Sequence, residues 1–199
     1  MTAPPEVWAG VLAAGAGRRL GGRPKATLDF RGTTFLETIV RTARRAGVAG
    51  VAVVLGHHAR DVRGLAASLC DRVADNPDPD RGMGSSARVL AGVVPDGAAL
   101  LLWPVDMPAV RTETIAALIE VGRLRPDNLV VPTTGGRAGH PPLLPPRLVD
   151  ALRRLGDDER LDVFVARLGG APCTVLVDDP GVVRDVDHTD DLDALQEGT

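Results

Sequence analysis

The chain has 199 residues, of which 44% are hydrophobic and 25% charged, and its net charge is −3 at pH 7. This length and balance suit a single domain, residues 1–199 with a core over about residues 7–195, and exclude a disordered chain or a coiled coil. The net charge gives no electrostatic basis for binding nucleic acid or an anionic membrane, and with 3% aromatic residues there are few platforms for stacking bases.

The N-terminal residues and the cysteines bear on the cellular compartment. Residues Met1–Glu6 contain no basic stretch followed by an apolar one, and no apolar run approaches the roughly 20 residues that a membrane helix needs. We therefore expect a cytoplasmic protein with no membrane partner. Cys70 and Cys173 lie in separate apolar segments, and we expect buried thiols rather than a disulfide or a metal pair.

Short apolar runs alternate along the chain with stretches of helical periodicity. The predicted strands, in chain order, are Val7–Ala13, Val51–Leu55, Arg72–Ala74, Ala98–Trp103, Leu129–Val131 and Cys173–Val177. Three predicted helices have caps: one is capped by Thr34 with Glu37 in a capping box, one is capped by Ser85 and runs through Val93, and one is capped by Thr112 and runs to about Arg123. The other predicted helices are Asp61–Leu69, Pro146–Leu155, Leu161–Leu168 and Asp190–Leu195. This alternation predicts a three-layer α/β/α, Rossmann-like domain with a mostly parallel sheet and an aliphatic core. Such sheets bind ligands at the carboxyl ends of their strands, so the loops there are the candidate site.

A loop rich in small residues follows the first strand. Small residues let the backbone approach a ligand closely, and their N–H groups can cradle phosphate. The candidate nucleotide-binding residues of this segment are Leu12, Ala13, Ala14, Gly15 and Gly17. A P-loop spacing is absent, and a dinucleotide fingerprint fails because Leu20 stands at the third glycine position and Pro24 interrupts the expected helix. A loop around a nucleoside triphosphate and a solvated glycine-rich turn both remain open.

The same loop carries a cluster of cations. They are Arg18, Arg19, Arg23 and Lys25. Lys25 is the one lysine among 23 basic residues. A compact ammonium in a chain that otherwise uses arginine indicates a need for a point charge that the planar guanidinium does not supply.

Two further strands end in candidate polar groups. Asn76 follows a short strand and leads to Ser85 and Ser86, whose hydroxyls at a helix N-terminus can hold an anion or a ribose, or simply cap the helix. Asp106 ends the most apolar strand, where a carboxylate is costly unless it is paired or bound to a metal. Mg²⁺ prefers one or two carboxylates together with substrate phosphates, and a surface turn is the alternative for Asp106.

Three later groups complete the candidates. Arg137, Gly139 and His140 lie in a Gly/Pro loop, where a lone histidine is more often structural than catalytic. The acidic stretch 185–191 suits a helix N-terminus, where acids complement the helix dipole. His57 and His58 have no third ligand spaced for zinc, and we interpret them as loop residues near the edge of the site.

The segments Leu12-Ala13-Ala14-Gly15, Arg19-Leu20-Gly21 and Pro24-Lys25 resemble the signature of nucleotidyltransferases with a glycosyltransferase-A-like fold. Within that class the chain most resembles the molybdenum cofactor (molybdopterin) nucleotidyltransferases, the MobA-like family, over nearly its whole length. The resemblance implies that Arg19 and Lys25 counter the charge of a nucleoside triphosphate. It also implies that Asp106 binds Mg²⁺, with Asp187 as a second ligand.

The resemblance assigns the other candidates to two substrates. Asn76, Ser85 and Ser86 would border the nucleotide, whereas Arg137, Gly139 and His140 would face a pterin. The implied reaction is Mg²⁺-dependent transfer of CMP from CTP to the phosphate of molybdopterin, with an apo-molybdoenzyme as a possible recipient of the product. Guanylyl transfer, a sugar- or polyol-phosphate acceptor, and a non-catalytic molybdenum-cofactor chaperone are the alternatives.

Overall fold

The computed structural model describes residues 4–156, 159–188 and 190–192. The strands are β1 (Val7–Ala13), β2 (Asp29–Phe30), β3 (Thr33–Thr34), β4 (Gly50–Leu55), β5 (Arg72–Asp75), β6 (Ala99–Pro104), β7 (Val130–Thr134), β8 (Arg137–Ala138), β9 (Leu143–Leu144) and β10 (Cys173–Leu176). The helices are α1 (Phe35–Arg45), α2 (Ala59–Leu69), α3 (Met83–Val93), α4 (Thr112–Leu124), α5 (Pro146–Leu152) and α6 (Leu161–Gly169). Within these residues, no helix has the length and apolar character needed to cross a bilayer.

The main sheet has the strand order β10-β7-β9-β6-β1-β4-β5. β1 pairs in parallel with both β4 and β6, and all seven of its residues are buried, as expected for a central parallel strand. The predicted mostly parallel sheet is therefore confirmed. β9 is an addition that the sequence did not predict: it lies antiparallel between β6 and β7, and its two residues are too few to show a periodicity.

Helices cover both faces of this sheet, which confirms the three-layer architecture. On one face, Phe35 of α1, Val62 of α2 and Ile115 of α4 pack against the sheet. On the other face, α3, α5 and α6 supply a second apolar cluster. The aliphatic core also holds aromatic residues, since Trp103 is among its largest fully buried side chains.

Of the three predicted helix caps, one is confirmed and two are wrong. The confirmed cap is Thr34, whose side chain accepts a hydrogen bond from the Glu37 N–H, as the capping box requires. Ser85, by contrast, lies inside α3, which begins at Met83 after Gly82. Thr112 is the first residue of α4 rather than its cap. The carboxylate of Asp179, from a distant part of the chain, accepts the N–H of Arg111, the residue before α4.

Other boundaries differ by a few residues. The helix predicted over Pro146–Leu155 ends at Leu152, and residues 190–192 of the predicted closing helix are helical while its remainder lies outside the described residues. Cys70 and Cys173 are free thiols, half-buried rather than buried. Burial raises the pKa of the Cys70 thiol to about 12, which keeps it protonated and unreactive at neutral pH.

Candidate functional site

A cleft of about 380 Å³ opens at the carboxyl ends of β1 and β6. Its walls are the loop after β1, the N-terminus of α3 and the loop after β6. Most of the predicted site residues line this one cleft: Leu12, Ala13, Ala14, Gly15, Gly17, Arg19, Lys25, Ser86, Asp106 and Asp187. The parallel sheet brings them together because its strand ends meet along one edge.

The loop after β1 folds into two tight turns. Gly17 has a φ of +60° and precedes a 3-10 turn over Arg18–Leu20, and a second turn covers Lys25–Thr27. A Cβ on Gly17 would lie 2.1 Å from the Arg23 carbonyl oxygen, so this turn requires glycine. Leu20 is buried in the core, and no α-helix follows directly as a dinucleotide-binding turn would require.

Four charged side chains meet in the cleft. The Lys25 Nζ lies 2.8 Å from an Asp106 oxygen and 2.7 Å from an Asp187 oxygen. Arg19 donates a further hydrogen bond to Asp187. Lys25 is only 17% exposed, so its ammonium is held between the carboxylates rather than free in solvent.

The ion pairs set the protonation states of this cluster. Burial acts to lower the pKa of Lys25, but Asp106 and Asp187 outweigh it and raise the pKa above its ordinary value. The hydrogen bond from Lys25, helped by the charge of Arg19, lowers the pKa of Asp187. The folded-state pKa of Asp187 is thus depressed, and the pairing stabilises the protein at neutral pH and is lost as the pH falls through that value.

The donor set fits a hard divalent cation. One oxygen of Asp106 and one oxygen of Asp187 lie within hydrogen-bond distance of the Lys25 nitrogen, so the two carboxylates already share one cation. Among the described residues, no group of three or more His, Cys, Asp or Glu could hold a metal ion. Two carboxylates without further protein ligands suit Mg²⁺, which keeps waters and takes substrate phosphates, and they do not suit a structural zinc.

Asn76 supports the cleft wall without lining the cleft. It is 5% exposed, and its amide donates to the hydroxyls of Ser85 at 2.8 Å and Ser86 at 3.0 Å. Its carbonyl oxygen accepts the Asp78 N–H. Of these side chains only Ser86 lines the cleft. Asn76 and Ser85 therefore hold the start of α3 in place rather than reach into the cleft.

We expect Asn76→Ala to destabilise the protein by about 1–3 kcal/mol, because it leaves buried hydrogen-bonding groups without partners. Urea denaturation followed by circular dichroism measures this change. Asn128, which is exposed, provides the matched control, and Asn128→Ala should change the free energy of unfolding by less than about 0.5 kcal/mol. Equal stability of the two variants would contradict the supporting role of Asn76.

A second cavity of about 730 Å³ adjoins the cleft. The two share Leu12, Gly82, Met83 and Pro104 as common walls. His140 lines the second cavity, together with residues of α6 that sequence reasoning missed. No sequence signal pointed to α6, since its apolar periodicity is that of any packed helix.

Of the predicted substrate-binding residues Arg137, Gly139 and His140, only His140 lines one of these two cavities. Arg137 and Gly139 do not line either cavity. Gly139 is a packing residue, because a Cβ there would lie 2.4 Å from the Val182 carbonyl oxygen. Burial lowers the pKa of His140 below its ordinary value and outweighs the opposing charges of Asp106 and Asp185, so the ring is mostly neutral at pH 7.

The two adjacent histidines, His57 and His58, differ in their position relative to the cleft. His58 lines the cleft, and its ring nitrogen lies 3.0 Å from the Ala16 carbonyl oxygen. His57 lies 3.3 Å from a carboxylate oxygen of Asp80 and is not part of the lining. The interpretation of these two as loop residues at the edge of the site therefore fits His58 more closely.

A family model described as the MobA-like NTP transferase domain matches residues 9–172. Nicotine blue oxidoreductase of Paenarthrobacter nicotinovorans is 40% identical over 114 residues, which cover 55% of this chain and 53% of that protein. The bifunctional IPC transferase and DIPP synthase of Rubrobacter xylanophilus is 44% identical over 95 residues, which cover 45% of this chain and 22% of that protein. The chain thus matches about half or less of the length of these relatives.

Solved structures share the fold over nearly the whole chain. The crystal structure of Rv0371c from Mycobacterium tuberculosis H37Rv has a TM-score of 0.82 at 30% identity and covers 98% of this chain and 100% of that one. A crystal structure of the same protein in complex with manganese has a TM-score of 0.78 at 29% identity, with 98% and 100% coverage. A similar protein has therefore been crystallised with a divalent metal.

Proposed function

The chain belongs to the MobA-like NTP transferase family, and from this premise we propose that it is a Mg²⁺-dependent nucleotidyltransferase. It transfers CMP from CTP to the phosphate of molybdopterin and releases pyrophosphate. The observation that carries the proposal is the Lys25 ammonium held between the Asp106 and Asp187 carboxylates, beside the loop of small residues. A pair of carboxylates, two cations and an adjoining cavity match what transfer between two phosphates requires.

The loop after β1 supports the nucleotide half of the proposal. Its small residues line the cleft, and backbone N–H groups of such a loop can hold a triphosphate. Lys25 and Arg19 supply positive charge at the same place. This charge stabilises the pyrophosphate as negative charge builds up on it during the reaction.

Asp106 and Asp187 would hold the Mg²⁺. When bound, the metal supplies Lewis-acid activation of the phosphoryl group and neutralises part of its charge. The role of the protein is to keep the two carboxylates side by side and ionised. The lowered pKa of Asp187 agrees with that role.

The second cavity, which adjoins the cleft, supports the proposal that a second substrate, the phosphate acceptor, binds beside the nucleotide. An oxygen of the acceptor phosphate attacks the α-phosphorus of CTP, a new P–O bond forms, and the bond to the β-phosphate breaks as pyrophosphate leaves with the electron pair. A phosphate monoester has its second pKa at about 6, so it is largely ionised near pH 7 and needs no strong general base. A mostly neutral His140 can donate a hydrogen bond to a pterin through one ring nitrogen and accept one from it through the other. Positioning and charge neutralisation then account for catalysis.

Sequence features favour CTP over GTP. Ala14 stands where guanylyl-transferring members typically carry glycine, and the Gly139-His140-Pro141 motif resembles that of cytidylyl-transferring members. Met107 and Pro142 depart from the commonest cytidylyl pattern. Guanylyl transfer, a sugar- or polyol-phosphate acceptor, and a non-catalytic chaperone that passes cofactor to an apo-molybdoenzyme are the alternatives that the experiment must separate.

We expect titration calorimetry with CTP, GTP, ATP and UTP, each with and without Mg²⁺, to show selective and Mg²⁺-dependent binding of CTP. The reason is that Asp106 and Asp187 already neutralise the charges of Lys25 and Arg19, so the charge of the triphosphate requires Mg²⁺ as a further cation. Asp106→Asn should remove most of the Mg²⁺ dependence. NADH serves as a control ligand that should not bind, because the loop after β1 lacks the dinucleotide-binding geometry.

The other outcomes each favour an alternative. Selective GTP binding would replace cytidylyl by guanylyl transfer. CTP binding without pyrophosphate release on a panel of phosphorylated acceptors, molybdopterin included, would favour the chaperone. Binding of NADH without any triphosphate would overturn the proposal and point to redox chemistry.

A further inference from the structure

The segment that leads into Asp187 has no role in the site described above. We call residues 178–187 the strap, because they run from the end of β10 to Asp187 across the start of α4. Near the beginning of the strap, Asp179 is 2% exposed. A carboxylate this buried is costly unless it is fully engaged, so its contacts indicate its role.

Both oxygens of Asp179 are engaged. One accepts the Arg111 N–H at 2.9 Å and the Thr114 hydroxyl at 2.6 Å. The other accepts the Gly181 N–H at 3.0 Å. The first turn of an α-helix leaves N–H groups without intrahelical partners, and a negative charge there interacts favourably with the helix dipole. Asp179 therefore caps α4 from outside and fastens the strap to it.

Two further contacts hold the strap against the segment 106–114. A Cβ on Gly181 would lie 2.4 Å from the Ala109 carbonyl oxygen, so the two backbones touch there. The Val186 N–H donates to the Asp106 carbonyl oxygen at 2.9 Å. The strap and the segment 106–114 thus lie side by side, and the side chains of Asp106 and Asp187 meet at one end of the pair.

We infer that Asp179 is a positioning residue that holds Asp187 beside Asp106 by fastening the strap to α4. It touches neither carboxylate, and it acts through the strap backbone. This inference rests on the proposed divalent-cation site at Asp106 and Asp187. It goes beyond that site by assigning its geometry to a buried side chain on the far side of the strap.

Mn²⁺ binding, measured by calorimetry on the whole protein, tests the inference. We expect Asp179→Asn and Gly181→Ala each to weaken Mn²⁺ binding by about tenfold or more, as loss of outer-shell support usually does. Asp178→Asn is the matched control, since it removes the same charge from the preceding residue, whose side chain is exposed. That variant should bind Mn²⁺ within about twofold of the wild type.

A destabilised variant on the opposite face separates positioning from general loss of stability. Leu148 is buried in α5, and Leu148→Ala should lower Tm without weakening Mn²⁺ binding. Unchanged Mn²⁺ affinity in Asp179→Asn and Gly181→Ala would overturn the inference, as would an equal loss in Asp178→Asn or Leu148→Ala. If Asp179→Asn does not fold, Gly181→Ala alone decides. Absence of Mn²⁺ binding by the wild type would overturn the proposed metal site itself, which is a distinguishable result.

Discussion

We expect Lys25→Ala to lower the rate of pyrophosphate release about 10²–10³-fold, the usual cost of removing one preorganised electrostatic stabiliser. Asp106→Asn should cause a loss of the same order. Lys25 bridges both carboxylates in the cleft, and no other lysine exists in the chain to replace it. The measurement is a coupled pyrophosphate assay with CTP, Mg²⁺ and molybdopterin.

Arg23→Ala is the control for the Lys25 experiment. Arg23 belongs to the same loop, but its side chain is exposed and does not line the cleft. It should retain activity within about threefold, because exposed charges contribute little. Both Lys25→Ala and Asp106→Asn should remain folded by circular dichroism, since neither side chain is part of the apolar core. Wild-type turnover in either variant would contradict the assigned roles.

Trp103→Ala is expected to have the largest effect on stability. Trp103 is fully buried in β6, and its indole N–H donates to the Met107 carbonyl oxygen at 3.1 Å, in the loop that carries Asp106. Truncation of a buried tryptophan costs about 3–5 kcal/mol. For a chain of this size, Tm should fall by roughly 6–20 °C. Thermal and urea denaturation measure both quantities.

The other tryptophan separates packing from hydrogen bonding. Trp8 is also buried, but its indole N–H has no partner among the described residues. Trp103→Phe loses a hydrogen bond, whereas Trp8→Phe loses none. We therefore expect Trp103→Phe to cost about 1–3 kcal/mol more than Trp8→Phe. Equal losses would show that the bond to Met107 does not stabilise the loop.

Most of the helices and strands could be predicted because their signals are local. β1 is a continuous buried run, and the Thr34–Glu37 cap of α1 spans a single turn. The wrong cap predicted for α4 has the opposite cause. Asp179, which replaces Thr112 as the partner of the α4 N-terminus, lies 68 residues from Arg111, and no local pattern connects them.

The candidate site could be predicted in part for the same reason. The small-residue loop and Asp106 stand at strand ends, and the parallel sheet brings strand ends together. Asn76 is a different case, because a polar residue after a strand can face the cleft or support its wall, and only packing decides. The lining of the second cavity by α6 likewise depends on how that helix packs.

Residue types and their local spacing are enough to predict the class of the sheet, the loop of small residues and the chemical groups available at the strand ends. These features can be predicted because they depend on residue type and on hydrophobic patterns that repeat every two to four residues along the chain. The folded chain alone reveals that Lys25 bridges Asp106 and Asp187, which lies 162 residues from it, and that the buried Asp179 fastens the strap. Such contacts depend on distances between segments, and packing of the whole chain sets those distances.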